Sequence, residues 1–199
     1  MNVSLGNDLD EVWTKIKNNL LFFEGKKIQD DDNYPLNFIN WVLEMTEKNK
    51  IIYNNKVTQN KKDHETFNKH RQHLYWINFG KNIGSEFNDY HFAVVVKESD
   101  FTALVVPIST EDEELPDWKI NEDLIIPIGL LNLPDKIDPL TNQVIERKPS
   151  FAMIHQMKVV SKKRLDRFKD TRVGYVDAEL TDPQMTLIDD AIKKYLVKN

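Results

Sequence analysis

The apolar positions along the chain change rhythm once, near residue 74. Before that point they recur at helical spacing, with Leu9, Val12, Trp13, Ile16 and Leu20 on one face. Asp8 and Glu11 stand at capping-box spacing, so a helix is predicted over residues 8–24, closed by Gly25 with Lys26 and Lys27. Asp30, Asp31, Asp32 and Asn33 form a solvated loop. Pro35 suits the first turn of a second helix, whose inner face carries Phe38, Trp41, Val42 and Met45. Residues 54–70 are rich in Asn, Lys and Gln and read as either an exposed helix or a linker. The expected division is therefore a helical accessory segment, 1–70, and a second domain, 71–199.

Beyond the change, short β-rich runs at 74–79, 92–96, 101–108, 124–130 and 151–160 are separated by turn residues. They predict a mainly β antiparallel sheet or small barrel. The unbroken apolar stretches Ala93-Val94-Val95-Val96 and Leu104-Val105-Val106 require cover on both faces, as in a barrel or under a helix. Pro107 and Pro127 cannot donate to a ladder, which places them at strand ends, edges or bulges. Two long loops are expected, 110–123, which includes the acidic run Glu111-Asp112-Glu113-Glu114, and 132–149. A final helix starts with Thr181 and Gln184 at capping-box spacing and Pro183 in its first turn. Met185, Ile188, Ile192 and Tyr195 mark its buried face.

Composition narrows the chemistry. With no cysteine, thiolate nucleophiles, disulfides and Cys-ligated zinc are excluded. The first residues do not read as a secretion signal and no apolar run approaches membrane-spanning length, so a cytoplasmic chain without a membrane partner is expected. The net charge is −5, and residues 1–72 balance 11 basic against 11 acidic groups, leaving 16 against 21 for the remainder. Uniform electrostatic coating of a nucleic acid is disfavoured, and any such contact must be local and directed. His64, His70 and His73 invite a zinc reading, which surface histidines in a polar linker do not need.

Four blocks carry a family resemblance. The run from Leu74 through Gly80, Lys81 and Asn82 to Gly84, Ser85 and Glu86 resembles the opening strand and loop of MazF/PemK toxins. His91-Phe92-Ala93-Val94-Val95-Val96 is similar to the family's second strand, and Val105-Val106-Pro107-Ile108-Ser109-Thr110 to its third. Residues 150–165, with Gln156 central and Arg164-Leu165 closing, resemble a fourth segment, and the final helix also fits. Residues 1–70 lie outside the resemblance. It implies a small SH3-like antiparallel β-barrel of the MazF/PemK/CcdB type with a C-terminal helix. It further implies a homodimer, a cognate antitoxin as partner, and metal-independent cleavage of single-stranded RNA by ribose 2′-hydroxyl attack, with no cofactor.

The family's catalytic pair is an arginine at the start of the second strand and a threonine at the end of the third. Those positions hold His91 and Ser109 here. An imidazole suits proton transfer near neutral pH but is not equivalent to a permanently charged guanidinium. The same positions also suit a barrel that binds RNA or a protein, including a gyrase-inhibitor-like role, without cutting. Lys81 is a candidate phosphate contact and Glu86 a loop brace beside RNA. His155 and Gln156 fall near the implied RNA groove, Gln156 reading equally as a base-edge partner or a structural amide. Lys158 leads a basic cluster with Lys162, Lys163 and Arg164, suited to backbone phosphate or to a solvated helix start.

Overall fold

The computed structural model describes residues 5–24, 26, 33–58, 69–82, 86–110, 124–138 and 140–197. The expected features at Gly84, Ser85, His64 and the acidic run from Glu111 to Glu114 lie outside them.

Two helices lead the chain, α1 (Leu5–Leu21) and α2 (Tyr34–Thr58). Both begin within a few residues of the predicted starts, and α2 continues into the stretch read as helix or linker. The apolar face predicted for α1 is only partly covered, since Leu9, Val12 and Trp13 are each about half exposed (50%, 50% and 48%).

The sheet begins with β1 (His73–Asn78), β2 (Tyr90–Glu98) and β3 (Thr102–Ser109), followed by β4 (Ile125–Gly129). The predicted strand over 151–160 is two strands, β7 (Ser150–Met153) and β8 (Lys158–Ser161), separated by a 3-10 turn over Ile154–Gln156. Both halves pair antiparallel with β3, β7 at Ile108 and Ser109 and β8 from Thr102 to Val105. The break faces Val106 and Pro107, where proline has no N–H to offer a partner. Pro127 sits at the register shift between β4 and β7, on the sheet edge. The region 132–149 holds a small hairpin, β5 (Lys136–Ile137) and β6 (Val144–Ile145), rather than a plain loop.

The sheet order β1-β2-β3-β7-β4, with β8 also on β3, curls until Asp166 returns to β1. There Trp76 N–H donates to the Asp166 carbonyl at 2.8 Å and Asp166 N–H to that of Trp76 at 2.9 Å. Beyond it lie the hairpin β9 (Lys169–Asp170) with β10 (Gly174–Tyr175), and β11 (Ala178–Glu179) beside β1.

Strand alternation sorts the side chains into two cores. Tyr75, Ile77, Phe79, Ala93, Val95, Ala103, Val105 and Val160 fill the inside of the curled sheet. Leu74, Val94, Val96, Val106 and Ile108 face outward and are sealed by Met185, Ile188, Ala191 and Ile192 of α3 (Asp182–Val197). The capping box at Thr181 forms: Thr181 N–H donates to Gln184 Oε1 at 2.9 Å and Gln184 N–H to Thr181 Oγ1 at 3.5 Å. Gln184 Nε2 also donates to the carbonyls of Ile128 and Leu130 at 2.7 and 3.0 Å, fixing the helix start against β4. Tyr195, predicted on the buried face, is exposed because the last turn runs past the sheet.

Candidate active site at the barrel mouth

Cross-strand register brings the two candidate catalytic residues together. Phe92 pairs with Ile108, so the next rung outward sets His91 opposite Ser109 on neighbouring strands. On their far sides, Ile77 pairs with His91 and Phe151 with Ser109. Directly opposed residues in an antiparallel pair point to one face. His91 and Ser109 therefore share the inner face at its mouth, both half-buried, just past the rung of Ala93 and Pro107.

The segment after β1 folds back over this mouth. Phe79 N–H donates to Asp89 O at 2.8 Å and Asp89 N–H to Gly80 O at 2.9 Å, zipping the base of the loop. Asn82 Nδ2 donates to the Phe79 and Phe87 carbonyls at 3.2 and 2.8 Å, and Gln156 Oε1 accepts from Phe87 N–H at 3.2 Å. This places the Phe87 ring 4.2 Å from the His91 ring and 5.4 Å from that of Phe79. Under that cover, burial pushes the His91 imidazole below its ordinary pKa, outweighing the nearby Asp89 carboxylate and a hydrogen bond to the Asn88 backbone. The ring is accordingly neutral at pH 7 and able to accept a proton.

Lys158 lies on the same inner face, opposite Val105, with its ammonium 5.3 Å from the Phe79 ring centroid. Burial lowers its pKa, while Glu86 favours its charged form and Arg164 opposes it. Gln156 braces the covering loop. His155 Nδ1 lies 2.9 Å from the Leu124 carbonyl, on the turn that splits β7 from β8.

Lys81 goes elsewhere. Its side chain is only 4% exposed and forms an ion pair with Asp89 at 2.5 Å, lining a cavity under α2 instead of joining His91. Within the basic cluster, Lys162 is buried and bonds Glu98 at 2.9 Å, and Arg164 donates to the Asn78 carbonyl at 2.7 Å. These cations bind the barrel together.

The pattern of the sequence marked Trp41 on the inner face of α2 but not the polar residues through which that helix reaches the mouth. Glu44 accepts hydrogen bonds from Asn78 Nδ2 at 2.7 Å and from the Tyr90 hydroxyl, and pairs with Lys48 at 3.1 Å. Lys48 also reaches Asp166, the closure residue, at 2.7 Å. Burial raises the Glu44 carboxyl, but the hydrogen bonds from Tyr90, Asn78 and Lys48 hold it below the usual range. Burial and the Glu44 carboxylate push the Tyr90 phenol up to about 12. Trp41 packs on Gly80, whose φ is +95°, and a Cβ there would stand 2.5 Å from Trp41 Cε2. For Glu44 the sequence sign of this contact was its spacing to Lys48, which also suits a solvated helix pair.

Chemically, the mouth offers a neutral imidazole, a hydroxyl one strand across on the same rung and an ammonium further along the same face. Of the three histidines considered for zinc, His73 lies 3.2 Å from Asp177 and 3.4 Å from Glu179, and His70 lies 3.9 Å from Glu98. Among the described residues, no helix is long and apolar enough to cross a membrane.

Comparison with curated proteins returns no match. Among solved structures, MazF (Form-I) from Deinococcus radiodurans aligns with a TM-score of 0.39 and 14% identity, over 64% of this chain and 96% of that one. The family model for PemK-like, MazF-like toxins of type II toxin-antitoxin systems matches residues 70–196. The chain belongs to that family.

Proposed function

We propose that this chain is the toxin of a type II toxin-antitoxin pair and a metal-independent endoribonuclease that cleaves single-stranded RNA. The observation that carries this reading is the apposition of His91 and Ser109 on one rung of the inner face, at the two positions matching the family's catalytic pair. Neutral His91 takes the proton from a ribose 2′-hydroxyl as that oxygen attacks the adjacent phosphorus. Ser109 donates a hydrogen bond to a non-bridging oxygen, and Lys158 offsets charge on the phosphorane. The imidazolium returns the proton to the departing 5′-oxygen, leaving a cyclic phosphate and a 5′-hydroxyl. The partners are an antitoxin and a second copy of this chain, and residues 1–70 serve as an accessory segment.

A second reading, a barrel that binds RNA or protein without cutting, is favoured by the Phe87 ring lying over His91. One assay separates them. Purified protein is incubated with a long unstructured RNA in excess chelator, wild type beside His91→Ala. The variant is expected to cut about 10²–10⁴-fold more slowly, the usual contribution of a general acid–base group. No cleavage by wild type, or equal cleavage by both, overturns the enzymatic reading.

A further inference from the structure

Between α2 and the rim formed by β1 and β2 lies a cavity of about 360 Å³, within the size range of small-ligand sites. Most of its polar wall is already committed. Glu44 is held by Asn78, Tyr90 and Lys48, and Lys81 by Asp89. Two lining side chains differ. Among the described residues, the Asn40 amide and the Glu47 carboxylate make no hydrogen bond or ion pair, and both are exposed on α2. Beside them stand the rings of Trp41 and Tyr90. Trp41 is fixed against Gly80, and its indole N–H is buried without a partner.

This lining selects a ligand class. Three carboxylates, Glu44, Glu47 and Asp89, face a single ammonium, Lys81, so a phosphate group is disfavoured inside. Aromatic walls with unengaged acceptors suit a neutral planar group bearing N–H donors. An unpaired nucleobase with an exocyclic amino group meets that description, since single-stranded bases are held by stacking and by hydrogen bonds to their edges. Uracil lacks the amino group and would turn carbonyl oxygens toward carboxylates.

The cavity also adjoins the catalytic mouth. Tyr90 lines it, and the next residue, His91, points to the other side of the same strand. We propose that the cavity is a base subsite contributed by α2, holding an unpaired adenine, cytosine or guanine while the neighbouring phosphate reaches His91. The RNA register rests on the ribonuclease reading above; the preference for amino-bearing bases does not.

The test uses the full chain carrying His91→Ala, which slows cleavage, and fluorescent octamers of adenylate, cytidylate or uridylate read by anisotropy. The adenylate and cytidylate octamers are expected to bind about tenfold more tightly than uridylate, the discrimination typical of one well-matched base contact. Asn40→Ala and Glu47→Ala, each at an exposed helix position, are expected to abolish the difference between these octamers and uridylate when all three are compared on the same variant. Absence of binding, absence of preference, or a preference that survives both variants overturns the subsite. If the preference is present but wild type does not cut RNA, the ribonuclease reading fails and the subsite stands. Cleavage without any base preference gives the reverse.

Discussion

Two helices pack on the barrel, and they do so by different physics. Helix α3 presents Met185, Ile188, Ala191 and Ile192 to an apolar sheet face, and beyond the Gln184 hydrogen bonds at its start its contact is apolar burial. Helix α2 meets the rim through a carboxylate, an ammonium and an indole, each aimed at a particular atom: Glu44 at Asn78 and Tyr90, Lys48 at Asp166, Trp41 at Gly80. Apolar burial supplies stability in proportion to area, whereas hydrogen bonds to charged groups fix position. The barrel is thus held together from the side of α3 and set in register at its mouth from the side of α2.

The largest effect separating the two helices is expected from Ile188→Ala. Ile188 is fully buried, and truncating such a side chain removes its transfer free energy and leaves a cavity, costing about 2–5 kcal/mol. Urea denaturation of the full chain checks this. A loss under 1 kcal/mol, as an order-of-magnitude bound for surface sites, would show that α3 is not the principal seal.

The contrast between the helices also explains what could be read from the chain beforehand. Helix α3 and the strands from β1 to β4 were legible because each carries an apolar pattern of its own, and the unbroken apolar run from Ala93 to Val96 required the two covered faces that are observed. The split of β7 from β8 was not, because Pro107 exerts its effect on a partner strand rather than on its own. The roles of Lys81 and Glu44 were hidden for a similar reason: their partners come from other segments, and nothing local distinguishes a buried ammonium from a solvated one. At the mouth, His91 and Ser109 could be paired only through the family motif, since register between strands is a tertiary fact. Phe87, their cover, stood beside the Gly-Ser-Glu motif without any pattern to mark it.

An intermediate effect is expected from Glu44→Ala, which attacks α2 where it is most directional. The substitution leaves the Asn78 amide, the Tyr90 hydroxyl and Lys48 without their shared acceptor, at a cost of about 1–3 kcal/mol. Stability alone would not distinguish this from any other lost contact, and the Tyr90 phenol provides the sharper readout. Raised to about 12 in the intact protein by burial and by Glu44, it is expected to fall part of the way toward the ordinary tyrosine value once the carboxylate is gone, burial holding the remainder. Ultraviolet titration, with Tyr90→Phe to identify the transition, follows it. An unchanged tyrosine profile would mean that α2 does not reach the rim in solution.

The smallest effect concerns His91 itself and tests whether the mouth is as covered as the α2 side suggests. Burial favours the neutral imidazole, so the folded-state pKa lies below the ordinary 6.5 of the unfolded chain. Between those two values the unfolded state binds more protons than the folded one. Stability contributed by the neutral ring is therefore complete above about pH 6.5 and is lost as pH falls toward the folded-state value. Because the residue is only half-buried, solvent screens part of the effect, which should rank below that of Glu44→Ala. Urea midpoints measured from pH 7.5 to 5 are expected to fall more steeply for wild type than for His91→Gln, whose side chain does not titrate. Phe87→Ala should narrow the gap by letting water reach the ring. Parallel curves for wild type and His91→Gln would show that His91 is already solvated, and that the loop held by Asn82 and Gln156 stands open over the rung of His91 and Ser109.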